Sequence, residues 1–375
     1  MVFLSPLHRE SGEKGQLPKD TLPQPPRIIS WNITLKCPLH CSHCYVSAGG
    51  DEGEDVLSTQ EAFSVIDQVR ETGSPVIVLS GGEPLARTDL CDIARHGTET
   101  GLRMVIGTSG YLLDRDMAEQ LGQAGIRAAA ISIDSADPKV HDALRGTPGS
   151  WERAVEAVGH CHDAGIGVQV NMTAVQPSVT EIERVVALGK SMGVSDYQVF
   201  FPVPTGRADG SPPLDPQQYE EVIRQVLLLH RDGDVNLRPT CAPQFRRIAS
   251  ELGISNPAWG RGCIAGTRYC RIYANGDVTP CPYLPVSAGN VRKMPFGEIW
   301  NTSPVFAALR DPALLTGKCG RCDYQSICGG CRARAYRGTG AFSPCWCDGL
   351  MQPESVTSEL CAADPWCPYE PGGVV

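Results

Sequence analysis

The stretch "KCPLHCSHCYVSAG", residues 36–49, carries Cys37, Cys41 and Cys44 at spacings of four and three, with His40 and His43 among them. It follows a strand-like run, "RIISWNIT" (27–34). Three thiols are an incomplete set for structural zinc, which is closed by four ligands, often in C-x2-4-C pairs. His40 or His43 could complete the set on paper, although a ligand one residue from a cysteine is sterically awkward. A compact three-cysteine loop better suits an iron–sulfur cube, with three irons held by thiolates and the fourth open to a small molecule. Spacing alone leaves zinc as the competing reading.

Outward from this loop a regular alternation begins. Further strand-like runs are "PVIVLSG" (75–81), "RMVIGT" (103–108), "AAAISID" (128–134), "IGVQVNMT" (166–173) and "YQVFF" (197–201). Amphipathic helical segments lie near 58–72, 88–100, 114–124, 150–164, 178–192 and 215–231. Ser58 with Glu61 makes a capping box at the first of these. Six strand-then-helix units predict an α/β fold with a parallel sheet, either a partial (β/α)6 barrel of the TIM type or a doubly wound sheet. Both put chemistry at the C-terminal ends of the strands. The cysteine loop, "SGGEP" (80–84), "TSG" (108–110) and "SIDS" (132–135) all fall there.

The chain has 375 residues and 17 cysteines, five in 1–161, none in 162–240 and twelve in 241–375. Clustered cysteines without an export signal read as metal ligands in a reducing compartment; a disulfide framework is the alternative. A net charge of −9 argues against nucleic acid as the main partner. No apolar run approaches the length of a membrane span and no signal-peptide core is present, so the expected location is the cytoplasm. The organisation expected is an N-terminal arm (1–26), a barrel (27–235) and a cysteine-rich domain (236–375) that folds around metal.

C-x3-C-x2-C after the first strand, with "SGGEP" after the second, resembles the radical S-adenosylmethionine (radical SAM) superfamily. The resemblance implies a four-iron cluster on Cys37, Cys41 and Cys44 whose open iron chelates SAM. It further implies SAM contacts from Gly81, Gly82 and Glu83 (methionine amino group) and from His43 (adenine). Ser132, Asp134 and Asn171 would contact ribose and methionine, and Arg145 the carboxylate. Where the family often has Asn after the third strand, this chain has Ser109. Taken singly each residue has a plainer reading: a turn, a loop histidine, a helix cap, a surface ion pair. Their coincidence at one end of consecutive strands is what carries the argument.

The tail reads C263-x6-C270-x10-C281, C319-x2-C322-x5-C328-x2-C331, then Cys345, Cys347, Cys361 and Cys367. This resembles the SPASM extension of radical SAM enzymes, which binds auxiliary four-iron clusters. The resemblance implies Cys263, Cys270, Cys281 and Cys331 at the first, and Cys319, Cys322 and Cys328 at the second. Cys367 is the expected fourth ligand of the second, with Cys345, Cys347 and Cys361 as competitors. Cys91 and Cys161 read as small core residues, and Cys241 has no assignment.

Motifs such as "GTRYC", "CPYLPVSAGN", "CGGCRARAY" and "PWCPYEP" resemble enzymes of the alternative haem and haem d1 pathways, which tailor porphyrin side chains. That implies oxidative decarboxylation of iron-coproporphyrin propionates, with a low-potential donor such as ferredoxin or flavodoxin. Arg246, Arg247, Arg332, Arg334 and Arg337 are candidate partners for a tetra-acid. SPASM-type modification of a peptide is the alternative, and a non-catalytic iron–sulfur carrier a remote one.

Overall fold

All six strand-like runs are strands: β1 Ile28–Asn32, β2 Val76–Ser80, β3 Arg103–Thr108, β4 Ala128–Ser132, β5 Gly167–Thr173 and β6 Asp196–Phe200. They pair in sequence order, every pair parallel. The computed structural model describes residues 23–52, 55–210, 214–338 and 357–372. The expected arm therefore lies almost wholly outside the described residues.

Helices occupy the six expected windows, from Thr59–Thr72 to Pro216–Asp232. The Ser58–Glu61 capping box is present in both directions. Between β4 and β5 lies a further helix that was not expected, Pro138–Arg145, started by Asp137 accepting from the Lys139 N–H and ended by Gly146 at φ 65°. The Asp-Pro pair was its readable start signal.

The sheet runs past the expected boundary at 235. A seventh parallel strand, β7 (Asn236–Thr240), pairs with β6, and β8 (Tyr269–Ile272) pairs parallel with β1 from the other side. The short strands β9 (Asp277–Thr279) and β10 (Gly289–Asn290) then continue antiparallel. The order is β10-β9-β8-β1-β2-β3-β4-β5-β6-β7, a partial barrel of the TIM type whose edges are β7 and β10. Pro239 disguised β7, because proline removes a ladder donor and is confined to edge strands and similar places. An edge is where β7 lies.

Two-residue periodicity sorts side chains between two faces. In β1, Ile29 and Trp31 join the large core shared with the helices. Ser30 and Asn32 face the barrel interior, where Val76, Val78, Val105, Ala128 and Ala130 form a separate apolar cluster. On this inner face Ser132, Asn171, Gln198 and Arg238 are register partners across β4 to β7. A polar row thus sits above an apolar floor. No helix among the described residues is long and apolar enough to cross a membrane.

Candidate active site

The cysteine loop leaves β1 through buried Ile33 and Thr34 and is clamped by three other loops. From the β2 side, the Gly82 N–H donates to Thr34 O at 2.8 Å and the Glu83 N–H to Lys36 O at 2.7 Å. A Cβ on Gly81 would lie 2.4 Å from Thr34 O, and one on Gly82 2.3 Å from Lys36 O. Both glycines are therefore required by close backbone approach. From the β4 side, the N–H groups of His40 and Ser42 donate to the carbonyls of Arg145 and Leu144. Beyond β6, Arg207 donates from Nε to Cys41 O at 2.9 Å and from Nη1 to Ala48 O at 2.7 Å.

Glu83 is fully buried and braces the second loop to the third strand. Its Oε1 accepts from the Thr108 hydroxyl at 2.6 Å, and its Oε2 accepts from the Ser109 N–H at 2.9 Å and from the Ser109 hydroxyl. Ser109, expected among cofactor contacts, thus has its hydroxyl engaged by Glu83.

A buried charge centre lies beside the loop. Asp134 Oδ2 is 2.8 Å from Arg145 Nη2 and 3.6 Å from His43 Nε2. Its Oδ1 accepts from the Thr173 N–H at 2.8 Å. Burial pushes the Asp134 carboxyl upward, but Arg145, His43, His141 and the Thr173 N–H outweigh it and hold its pKa down to about 2. Burial lowers the His43 imidazole to about 4, against the pull of Asp134. Arg145 Nη1 reaches 3.9 Å from Cys41 Sγ. Burial, with Glu83 and the other two thiols adding, pushes Cys37 up to about 12. Three polar atoms around the loop are buried without a partner: Asn32 Nδ2, His43 Nδ1 and Arg145 Nε. Such atoms are costly unless a ligand meets them, so this site fits a polar, zwitterionic molecule.

Ser132 and Asn171 lie one strand apart on the inner face. Asn171 Oδ1 accepts from Gln169 Nε2 at 2.7 Å, and the chain of amides continues through Gln198 to Thr240. His40 stays in the loop, its backbone N–H donating to Arg145 O. No three His, Cys, Asp or Glu side chains among the described residues are close enough to hold one metal ion. Cys37, Cys41 and Cys44 nonetheless feel one another's charge. Their spacing suits a cluster better than zinc.

In the tail, Cys319, Cys322, Cys328 and Cys367 line one cavity with Gln244, Arg247 and Lys318. Cys361 is away from them, buried beside Leu360, with its carbonyl accepting from the Thr316 N–H at 2.8 Å. Cys345 and Cys347 lie outside the described residues. Of the expected first set, Cys270 is set among different neighbours from the rest. Cys270 is on β8, where alternation sends Tyr269 and Arg271 to the inner face and Cys270 into the apolar core with Ile29 and Ile272. Cys241 and Cys281 pack against the buried group that contains Cys331, and Cys281 and Cys331 both feel Cys263. Cys161 is a buried core residue and Cys91 packs on the same core.

Most of the candidate arginines are engaged. Arg334 pairs with Asp364 at 3.0 Å, Arg247 bonds Glu220 and Glu251, Arg332 donates to Leu360 O and Ala362 O, and Arg337 to Pro204 O. Arg246 has a buried, unpartnered Nε and, unlike Arg247, no carboxylate partner among the described residues. Beside it, unforeseen, stands Arg238 on β7; the two guanidinium groups flank the Phe245 ring at 5.7 and 5.9 Å. Arg238 is partly buried, and its pKa is lowered by that burial and by repulsion from Arg27 and Arg246. Recognising β7 would have put Arg238 on the inner face.

The model of the radical SAM superfamily matches residues 31–191, and that of an iron–sulfur cluster-binding (SPASM) domain matches 263–332. The AdoMet-dependent heme synthase of Methanosarcina barkeri is 40% identical over 358 residues, 92% of this chain and 97% of the relative. That of Nitratidesulfovibrio vulgaris is 35% identical over 92% of this chain and 93% of the relative. Among solved structures, Streptococcus suis SuiB superposes with a TM-score of 0.72 at 17% identity, covering 92% of this chain and 78% of SuiB. That likeness bears on the fold.

Proposed function

The chain belongs to the radical SAM superfamily, in the group with a SPASM iron–sulfur domain, and on that premise we propose that it oxidatively decarboxylates the propionates of an iron-coproporphyrin. The observation that carries the reading is the convergence of Cys37, Cys41 and Cys44 with the buried Asp134–Arg145 pair at the C-terminal ends of the strands. Near-full-length similarity to heme synthases directs it to a porphyrin.

Cys37, Cys41 and Cys44 would hold the four-iron cluster, and SAM would meet the unpartnered atoms of Asn32, His43 and Arg145. When bound, the cluster supplies one-electron reductive cleavage of SAM, the source of a hydrogen-abstracting 5′-deoxyadenosyl radical. The protein's part is placement. Asp134 fixes Arg145, Glu83 fixes the loop after β2, and three loops fix the cysteines, so few reacting groups are free to stray. The inner face offers substrate a polar row over an apolar floor, and Arg238 and Arg246 are guanidinium groups without carboxylate partners among the described residues. A tetra-acid macrocycle matches that pairing.

Each propionate that becomes a vinyl group gives up one hydrogen atom, carbon dioxide and one electron. The electron requires an acceptor, which suits clusters in the tail, where Cys319, Cys322, Cys328 and Cys367 would hold one. A low-potential cytoplasmic donor such as ferredoxin or flavodoxin would serve the first cluster. The test is anaerobic incubation with iron-coproporphyrin III, SAM and dithionite. Mass spectrometry should show successive loss of formic-acid equivalents; an unchanged porphyrin would turn the reading toward a peptide substrate.

A further inference from the structure

Cys241 is the residue whose place the sequence did not explain. It follows β7 directly and holds a left-handed backbone with φ 60°, one of two non-glycine residues with positive φ among those described. Residues other than glycine keep that conformation only where the surroundings hold them in it, and such residues gather at functional sites. Here the surroundings are specific. Its carbonyl accepts from Arg334 Nη1 at 3.2 Å and from the Tyr219 hydroxyl at 3.5 Å. Arg334 also grips Asp364, whose Oδ2 accepts from the Cys331 N–H at 2.8 Å. One buried arginine–aspartate pair thus fixes the backbones of Cys241 and Cys331 together.

We propose that Cys241, Cys263, Cys281 and Cys331 are the four ligands of the first auxiliary iron–sulfur cluster, with Cys270 a core residue. Three observations converge on it. The four thiols feel one another, whereas only burial and Arg310 act on Cys270. Cys270 belongs to the apolar core behind β1, while Cys241, Cys281 and Cys331 share the smaller buried group that includes Tyr283 and Leu284. Arg334, buried and paired with Asp364, stands beside Cys241 and Cys331 and lowers the cost of charge on their thiols.

The consequence is mechanical as well as chemical. Cys241 comes from the end of a barrel strand and the other three from the tail, so the cluster would rivet the cysteine-rich domain to the barrel. Thr240, its neighbour, donates to Gln198 Oε1 at 3.1 Å on the inner-face polar row. The cluster would therefore border the substrate chamber, in position to receive the electron released with each carbon dioxide. This inference rests on the reading that the tail holds clusters.

The test uses full-length protein reconstituted anaerobically, as wild type and as Cys241→Ser, Cys241→Ala, Cys263→Ala and Cys270→Ala. It measures iron and sulfide, the EPR spectrum after dithionite reduction, and 5′-deoxyadenosine release without substrate. Wild type should hold about twelve irons, three cubes. The Cys241 and Cys263 variants should lose about four of them or show the same altered EPR component; Cys270→Ala should match wild type. Unchanged iron and EPR in the Cys241 variants, or loss in Cys270→Ala, would overturn the assignment. So would loss of nucleoside release in the Cys241 variants alone, which would mark a fold position instead. Wild type with only about four irons would defeat the underlying reading of the tail.

Discussion

Arg145 Nη2 and Asp134 Oδ2 form an ion pair 2.8 Å apart, with side-chain exposures of 10% and 0%. The arginine ends a helix and the aspartate follows a strand, and both abut the cysteine loop. A buried pair of this kind contributes little net stability compared with apolar packing, yet it is costly to break, because the surviving charge is left without compensation. Its value here is the fixed position of a guanidinium whose Nε remains free.

Asp134→Asn keeps the shape and removes the charge. It should destabilise the chain by about 3–5 kcal/mol and weaken SAM binding through a misplaced Arg145. Chemical denaturation gives the first quantity and equilibrium SAM binding the second. Wild-type values for both would show that the pair does not position Arg145.

Gly82→Ala should force the cysteine loop away from β2, since its Cβ would meet Lys36 O at 2.3 Å and Leu35 O at 2.7 Å. A stability loss of about 1–3 kcal/mol with loss of the first cluster's iron is expected. Gly159→Ala serves as the control. It lies inside the helix Ser150–Asp163 with nothing within 4 Å of its Cβ, so alanine there should be neutral or stabilising. Equal behaviour of the two variants would contradict the clamp.

Arg238→Gln and Arg246→Gln should each raise the KM for iron-coproporphyrin roughly tenfold, the effect of losing a charge-assisted hydrogen bond of about 1.5 kcal/mol. Release of 5′-deoxyadenosine without substrate should stay as in wild type. A fall in that release with KM unchanged would mean these residues act on the SAM site.

Cys367→Ala should lose the second auxiliary cluster, seen as about four fewer irons, whereas Cys361→Ala should not. The reason is location: Cys367 lines the cavity with Cys319, Cys322 and Cys328, and Cys361 does not. The reverse pattern would exchange their roles.

Much of this was legible in the sequence, for physical reasons. Period-2 runs such as "PVIVLSG" bury one face and announce strands, and motif positions next to strand ends converge by topology alone. What stayed hidden depended on unrecognised strands. Pro239 masked β7 and with it Arg238 and the position of Cys241. On β8, the SPASM resemblance implied Cys270, but strand alternation points it away from Arg271 and into the core. The partners of a buried arginine are likewise invisible in one dimension: Arg334 looked free until Asp364, thirty residues later, came beside it.

In the proposed reaction, hydrogen leaves a porphyrin propionate for SAM's adenosyl carbon. The most direct measurement is turnover of iron-coproporphyrin deuterated at the propionate β-carbons, with mass analysis of the nucleoside. The account predicts 5′-deoxyadenosine carrying one deuterium for each vinyl group formed. Unlabelled 5′-deoxyadenosine, with the porphyrin unaltered, would contradict it.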